Sequence, residues 1–219
     1  MLRSNKQAVP ELGPGRGAQT LRGEKRRDLI LKVAAQLFAE NGFDSVSINE
    51  IGIAAGITGP AIYRYFASKE ALLVSVYKRL YERFSDGIGV ILSEEADSWE
   101  SLERLIDLQV TLAVEEPEKI RIVDSEGRHL PLNEAAEFRV ENRRHLSVWT
   151  DVLGRARPDL PRLQCEVTVH ALLAMINSVA NRRGQNWEQE VVRDYLRAMA
   201  LSAVSTNKLD GFKPEPSST

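Results

Sequence analysis

Phe43–Ala71, FDSVSINEIGIAAGITGPAIYRYFASKEA, is the stretch that decides the fold of this 219-residue chain. Ser47 and Glu50 stand at S-x-x-E spacing. That spacing predicts a capping box, in which the hydroxyl accepts the N3 amide and the carboxylate accepts the N-cap amide. A short helix follows, with Ile51 and Ala55 facing inward and Gly52 leaving room for a second helix to cross closely above it. Gly56 ends it, in the left-handed conformation that glycine enters without a Cβ penalty. Thr58 is expected to cap a second short helix whose first turn tolerates Pro60. Ile57, Ile62 and Tyr65 complete the apolar set that locks the pair together.

Helices this short are unstable alone in water, so a third must lie beneath them. Residues 24–41 supply it: Ile30, Val33, Ala34, Leu37 and Phe38 fall on one helical face, and Asn41-Gly42 ends the run. A helix-turn-helix on a supporting helix is the three-helix unit that reads duplex DNA. Its second helix is expected to enter the major groove by its N-terminal end, presenting Thr58, Gly59, Pro60, Ala61 and Arg64. The small residues allow close approach to base edges and thymine methyls. Tyr63, Tyr65 and Lys69 are assigned to the phosphates, and Ser47 belongs to the same DNA-binding set.

The run Ala55–Leu73, A-G-I-T-G-P-A-I-Y-R-Y-F-A-S-K-E-A-L-L, resembles the signature of the TetR family of bacterial repressors. Leu37-Phe38 and Asn41-Gly42-Phe43 belong to the same pattern, so the resemblance covers about residues 24–73. It implies that the remaining helices form a dimerising, effector-binding body. Two departures stand out: Gly52, where the family usually has Ala, and Gly59-Pro60, where many members carry a basic or hydroxyl residue. They imply fewer side-chain contacts to bases.

Charge supports a DNA-binding head. The net charge is −2, but through Lys69 there are ten Lys/Arg against six Asp/Glu, and thereafter nineteen against twenty-five. A basic front third on an acidic body puts the electrostatic footprint at one end. With 43% hydrophobic and 27% charged residues, the composition is that of an ordinary globular protein. A single cysteine, Cys165, fits a reducing compartment. No secretory signal or membrane span is read, and the expected location is the cytoplasm.

Beyond the head the apolar spacing is helical throughout, so the expected fold is all-α, with about nine helices. Leu72, Leu73, Val76, Tyr77, Leu80 and Phe84 mark a long helix after Ser68; Asp97 caps another; Pro117 opens a third; and Pro131-Leu132-Asn133 opens a long one to about Arg155. Two more follow, at about 162–182 and 187–205, separated by Arg183-Gly184. The expected divisions are a disordered arm over 1–22, a DNA-binding domain over 23–67, a ligand-binding and dimerisation domain over 68–206, and a disordered tail over 207–219.

The helix from 162 carries two apolar faces and must be covered on more than one side. Val167, Ala171, Ala174 and Met175, with Val192, Tyr195 and Met199 of the last helix, are the expected interface of a homodimer. A ligand pocket is expected from Gln109, Phe138, Asn142, His145, Trp149 and Ile176, a mostly apolar line with a few fixed polar groups. The implied effector is an apolar or amphipathic small molecule. Arg121, Asp124, Glu126, Arg128 and His129 are expected to form a solvated charged loop, or else the mouth of an anion pocket.

No enzyme is expected. There is no HExxH, CxxC or GxSxG among residues that include only three histidines, and neither a metal nor a cofactor is assigned. The partners expected are double-stranded DNA carrying a palindromic operator, a small-molecule effector and a second copy of the chain. The alternative reading is a helical protein-interaction module that uses the helix-turn-helix fold without sequence-specific DNA binding.

Overall fold

The computed structural model describes residues 16–94, 97–181 and 187–205, with side chains from Arg22 onward. Among these residues there are nine α-helices and no strand: α1 (Arg16–Asn41), α2 (Ile48–Ala54), α3 (Gly59–Ile62), α4 (Lys69–Ser93), α5 (Ser98–Glu115), α6 (Pro117–Ser125), α7 (Leu132–Ala156), α8 (Arg162–Asn177) and α9 (Gln189–Ser205). Short 3-10 turns follow α6 at Gly127–His129 and α8 at Ser178–Asn181.

The start and stop signals sit where their chemistry requires. Ser68 accepts the amide of Ala71 at the head of α4, and Asp97 accepts that of Glu100 at the head of α5. Pro117 occupies the first turn of α6, where its missing N–H leaves no bond unmade. The arm expected over 1–22 is corrected from Arg16 onward, because α1 already runs there. Ala18, Gln19, Leu21 and Arg22 favour helix strongly enough to outweigh Gly17, although they carry no apolar stripe. The rest of the arm, the tail over 207–219 and the Arg183-Gly184 junction lie outside the described residues.

Two large cores divide the molecule. The first gathers Ile30, Ala34, Phe38, Val46, Ile51, Ile62 and Phe66 of the head, continues through Leu72, Leu73, Val76 and Tyr77 of α4, and reaches Ile122, Leu130 and Phe138. The second lies between α5, α7, α8 and α9, around Leu105, Ile106, Trp149, Val152, Val169, Ile176 and Leu196. Leu80, Phe84, Leu112, Ile120 and Ala180 form a small cluster of their own. Each buried Val, Leu, Ile or Phe among them contributes roughly 1.5–3 kcal/mol by leaving water. The packing therefore runs unbroken across residue 67, and the short α2 and α3 are held by α1 and α4 rather than by themselves.

α8 and its following turn, Arg162–Asn181, are long and apolar enough to cross a membrane by length and composition alone. The helix is two-sided instead. Cys165, Val169, Leu172, Leu173 and Ile176 are buried in the second core, while Leu163 and Val167 on the other side are 70% and 61% exposed.

Candidate nucleic-acid interface and ligand pocket

The head begins with the capping box read from sequence. Ser47 Oγ accepts the Glu50 amide at 3.2 Å, and Glu50 accepts the Ser47 amide at 2.7 Å. The Ser47 amide and then the Ser47 hydroxyl, both bonded to it, hold the Glu50 carboxyl below the usual carboxylate range. Gly56 has φ 68° and closes α2. Arg26, from α1, donates to the Ala55 carbonyl at 3.1 Å and so satisfies an orphan acceptor at the helix end.

α2 and α3 cross through two glycines. A Cβ on Gly52 would lie 2.7 Å from the Gly59 nitrogen, and a Cβ on Gly59 would collide with Asn49 Oδ1. The two departures from the resemblance are thus a single feature: this helix pair sits closer than an alanine would allow. The expectation that Gly59 faces DNA is corrected accordingly. It is buried against α2, and its missing side chain serves the crossing rather than the groove.

α3 is tighter than a regular helix. Ala61, Tyr63, Arg64 and Tyr65 each donate to the carbonyl three residues back, at 2.8–3.3 Å. Thr58 occupies the N-cap with its hydroxyl unused in capping, which corrects the capping bond expected of it and leaves an exposed hydroxyl at the front of the helix. Ser47, Thr58, Pro60, Tyr63 and Arg64 are exposed, and Ala61 is half-buried. Tyr65 is half-buried against the head core, so its ring first seats α3. Lys69 places its ammonium 4.2 Å from the centre of the Phe43 ring. Arg27 sits 4.9 Å from that of Phe66. Neither Arg26 nor Arg27 was singled out from sequence, and part of the basic charge of the head therefore has internal work.

In the body, the six expected pocket residues divide. Phe138 and Asn142 line one groove of about 570 Å³ together with Tyr77, Tyr81, Val123, Asp124, Gly127, Leu130 and the rim residues Arg139 and Arg143. Tyr81 stacks on Phe138 at 5.4 Å and Tyr77 packs on it at 5.0 Å. Burial pushes the Tyr81 phenol up to about 12 and the Tyr77 phenol higher still, and Tyr77 donates to the Ile122 carbonyl at 2.9 Å. Sequence reading missed both tyrosines as pocket walls; their i, i+4 spacing on α4 was the available signal.

Gln109, His145, Trp149 and Ile176 lie inside the packed body. Gln109 is 3% exposed and its Nε2 donates to Asn177 Oδ1 at 2.7 Å. His145 packs on Phe84 at 4.8 Å and near Trp149 at 6.3 Å, and burial pulls its imidazole down to about 4. Gln109 Oε1, His145 Nδ1 and Trp149 Nε1 are buried without a hydrogen-bond partner, polar atoms that a ligand or water would satisfy.

The charged stretch 121–129 is solvated only in part: Asp124 and Arg128 are exposed, while Arg121 and His129 are half-buried. Glu126 is 6% exposed, and its carboxylate accepts the Phe43 amide at 3.3 Å and the Ser125 hydroxyl at 3.0 Å. A second groove, of about 670 Å³, runs between α1, α4 and the α5–α6 junction. Its Arg83 and Lys119 are both paired with Glu116, so that groove is braced internally.

On the far side of the body, the residues expected at a dimer interface form an uncovered apolar face. Val167, Ala171, Ala174, Tyr195 and Met199 are exposed, and Met175 and Val192 half-buried. Val191, 53% exposed, extends the face along α9. Among the described residues no group of three His, Cys, Asp or Glu is placed to hold a metal ion.

Residues 30–76 match the family model described as bacterial regulatory proteins, tetR family, and residues 95–204 match the tetracyclin repressor-like C-terminal domain. The chain is 31% identical over 117 residues to the transcriptional repressor NicS of Pseudomonas putida, covering 53% of this chain and 55% of NicS. It is 29% identical over 129 residues to the repressor KstR2 of Rhodococcus jostii, covering 58% and 63%. The chain thus spans little more than half the length of these relatives. Among solved structures, a TetR-family regulator from Bordetella parapertussis superposes with TM-score 0.76 at 21% identity, over 87% of this chain and all of that one. AibR, in complex with isovaleryl coenzyme A and operator DNA, superposes with TM-score 0.68 at 18% identity, over 80% and 97%. With both of its domains matched in order, the chain belongs to the TetR family of bacterial regulatory proteins.

Proposed function

We propose that this protein is a cytoplasmic, sequence-specific DNA-binding transcriptional regulator, a homodimeric repressor released from a palindromic operator by a small, largely apolar ligand. The observation that carries the reading is the front of α3. There Thr58, Pro60, Tyr63 and Arg64 stand exposed on a helix fixed by α1, α2 and α4, the arrangement a major-groove reader requires. Thr58, Ala61 and Arg64 face base edges; Ser47, Tyr63 and Lys69 meet phosphates. The apolar face on α8 and α9 supports a two-fold dimer, which presents two such helices to half-sites about one helical turn, roughly 34 Å, apart.

The ligand half of the reading rests on the groove walled by Tyr77, Tyr81 and Phe138 and on the unpaired polar atoms of Gln109, His145 and Trp149 in the packed body. An aromatic wall with Asp124, Arg139 and Arg143 beside it suits a molecule of mixed apolar and polar character. AibR, a fold relative, was solved with both isovaleryl coenzyme A and operator DNA, a precedent for one such body serving two ligands. Near-complete release requires the effector to favour the DNA-free state by about 5.5 kcal/mol.

Selection of genomic fragments on the purified full-length protein tests this directly. Enrichment of a short palindrome, bound with steep salt dependence, is the expected result. No enrichment over bulk DNA would overturn it in favour of protein docking.

A further inference from the structure

Beside the N-terminus of α4 the body also touches the head through the turn after α6, and that contact centres on Phe43. Phe43, in the turn between α1 and α2, is 5% exposed. Its amide is bonded by Glu126, 83 residues away and itself buried. Its ring stacks on the His129 imidazole at 4.8 Å and 27°, and the same ring carries the Lys69 ammonium at 4.2 Å. His129 Nε2 lies 2.9 Å from Arg128 Nε and 3.5 Å from the carboxylates of Asp44 and Glu126, and the face of the imidazole packs on Phe43.

We propose that Glu126 and His129 are positioning residues for DNA binding, a latch that fixes Phe43 and, through it, the phosphate-contacting ammonium of Lys69. The inference rests on the DNA-binding reading above. Two physical arguments carry it. A buried carboxylate that accepts a backbone amide makes a charge-assisted bond, and removing the acceptor leaves the amide unpaired in a dry site. An ammonium over a ring is held only while the ring is held, so Phe43 sets where Lys69 waits. The 3-10 turn that supplies His129 also borders, through Gly127 and Leu130, the groove walled by Tyr77, Tyr81 and Phe138. An occupant that displaces that wall displaces the latch with it, which gives the body a route to the head besides α4.

The test compares wild type with Glu126→Ala and Glu126→Gln in the full-length protein. Hydrogen exchange is read peptide by peptide, and affinity is measured on a 30-base-pair duplex carrying the selected palindrome. Glu126→Ala should speed exchange at residues 43–47 at least about tenfold while leaving residues 102–113 and 149–156 at the wild-type rate, as expected for opening confined to one local unit. Its affinity should fall about tenfold. Glu126→Gln keeps an acceptor oxygen for the Phe43 amide and should restore most of both. Wild-type exchange at 43–47 in the alanine variant would overturn the latch, as would a rate increase of equal size in every peptide. If wild type itself shows no preference for any duplex, the DNA-binding reading fails, and the proposal that rests on it fails too; the exchange arm still decides whether Glu126 holds the head.

Discussion

Gly52→Ala asks whether the helix crossing is as tight as its geometry says. The added methyl carbon would lie 2.7 Å from the Gly59 nitrogen and 3.0 Å from the Gly59 Cα and the Thr58 carbonyl carbon. Ordinary contact begins near 3.4 Å, so α3 must retreat by about 0.7 Å, and backbone offers no rotamer to give way. Overpacking of this kind costs about 1–3 kcal/mol, and alanine in a helix returns up to about 1 kcal/mol. The net loss of stability is about 0–3 kcal/mol, a fall in Tm of up to about 12 °C for a chain of this length. The functional effect is the sharper one. A base contact is worth about 1–3 kcal/mol of discrimination, and a displaced α3 forfeits that part, whereas phosphate contacts from α4 persist. The palindrome-to-scrambled affinity ratio, measured by competition anisotropy, should drop roughly 5–150-fold with little change on scrambled DNA. Unchanged Tm and an unchanged ratio would show that the glycine pair is incidental.

Other substitutions probe the remaining parts. The folded-state pKa of His145 is about 4 against an ordinary 6.5, so the unfolded chain takes up the proton first as pH falls. Stability from this group is complete above about pH 6.5 and declines towards pH 4 by about 3 kcal/mol. Denaturant midpoints at pH 7, 5.5 and 4.5 should fall less steeply for His145→Phe, and parallel slopes would contradict the burial argument. Val167→Glu with Tyr195→Glu should place charge on the α8–α9 face and give a monomer mass by light scattering, whereas a dimer mass in the double variant would move the interface elsewhere. Arg26→Ala removes the bond to the Ala55 carbonyl and should cost about 1 kcal/mol, or roughly 2–4 °C, in thermal unfolding.

The sequence exposed those parts of the molecule whose causes are local. Ser47 with Glu50, Asp97, Ser68 and Pro117 all act within one helical turn, and each marks a helix start in the structure. The start of α1 is hidden because residues 16–22 are helical by propensity alone, with no apolar period to reveal it. Glu126 looks like one charge among several on a loop; its burial depends on an amide 83 residues away, which no spacing can show. Gly59 misleads for a related reason. A small residue at a helix front fits close approach to DNA and close approach to another helix equally well, and only the crossing with Gly52 decides between them. The pocket residues read as one stripe, but α7 runs alongside two cores: Phe138 belongs to that of the head, and Trp149 to that of the body.

The most direct test of the account is equilibrium binding of the selected palindrome and a scrambled duplex across a salt series, for wild type, Arg64→Ala and Lys69→Ala. The account predicts preference for the palindrome in wild type and its disappearance in Arg64→Ala. In Lys69→Ala it predicts a uniform weakening on both duplexes, with a salt slope shallower by about 1 for each phosphate no longer neutralised. Equal affinity of wild type for both duplexes, with all three proteins sharing one salt slope, would contradict it.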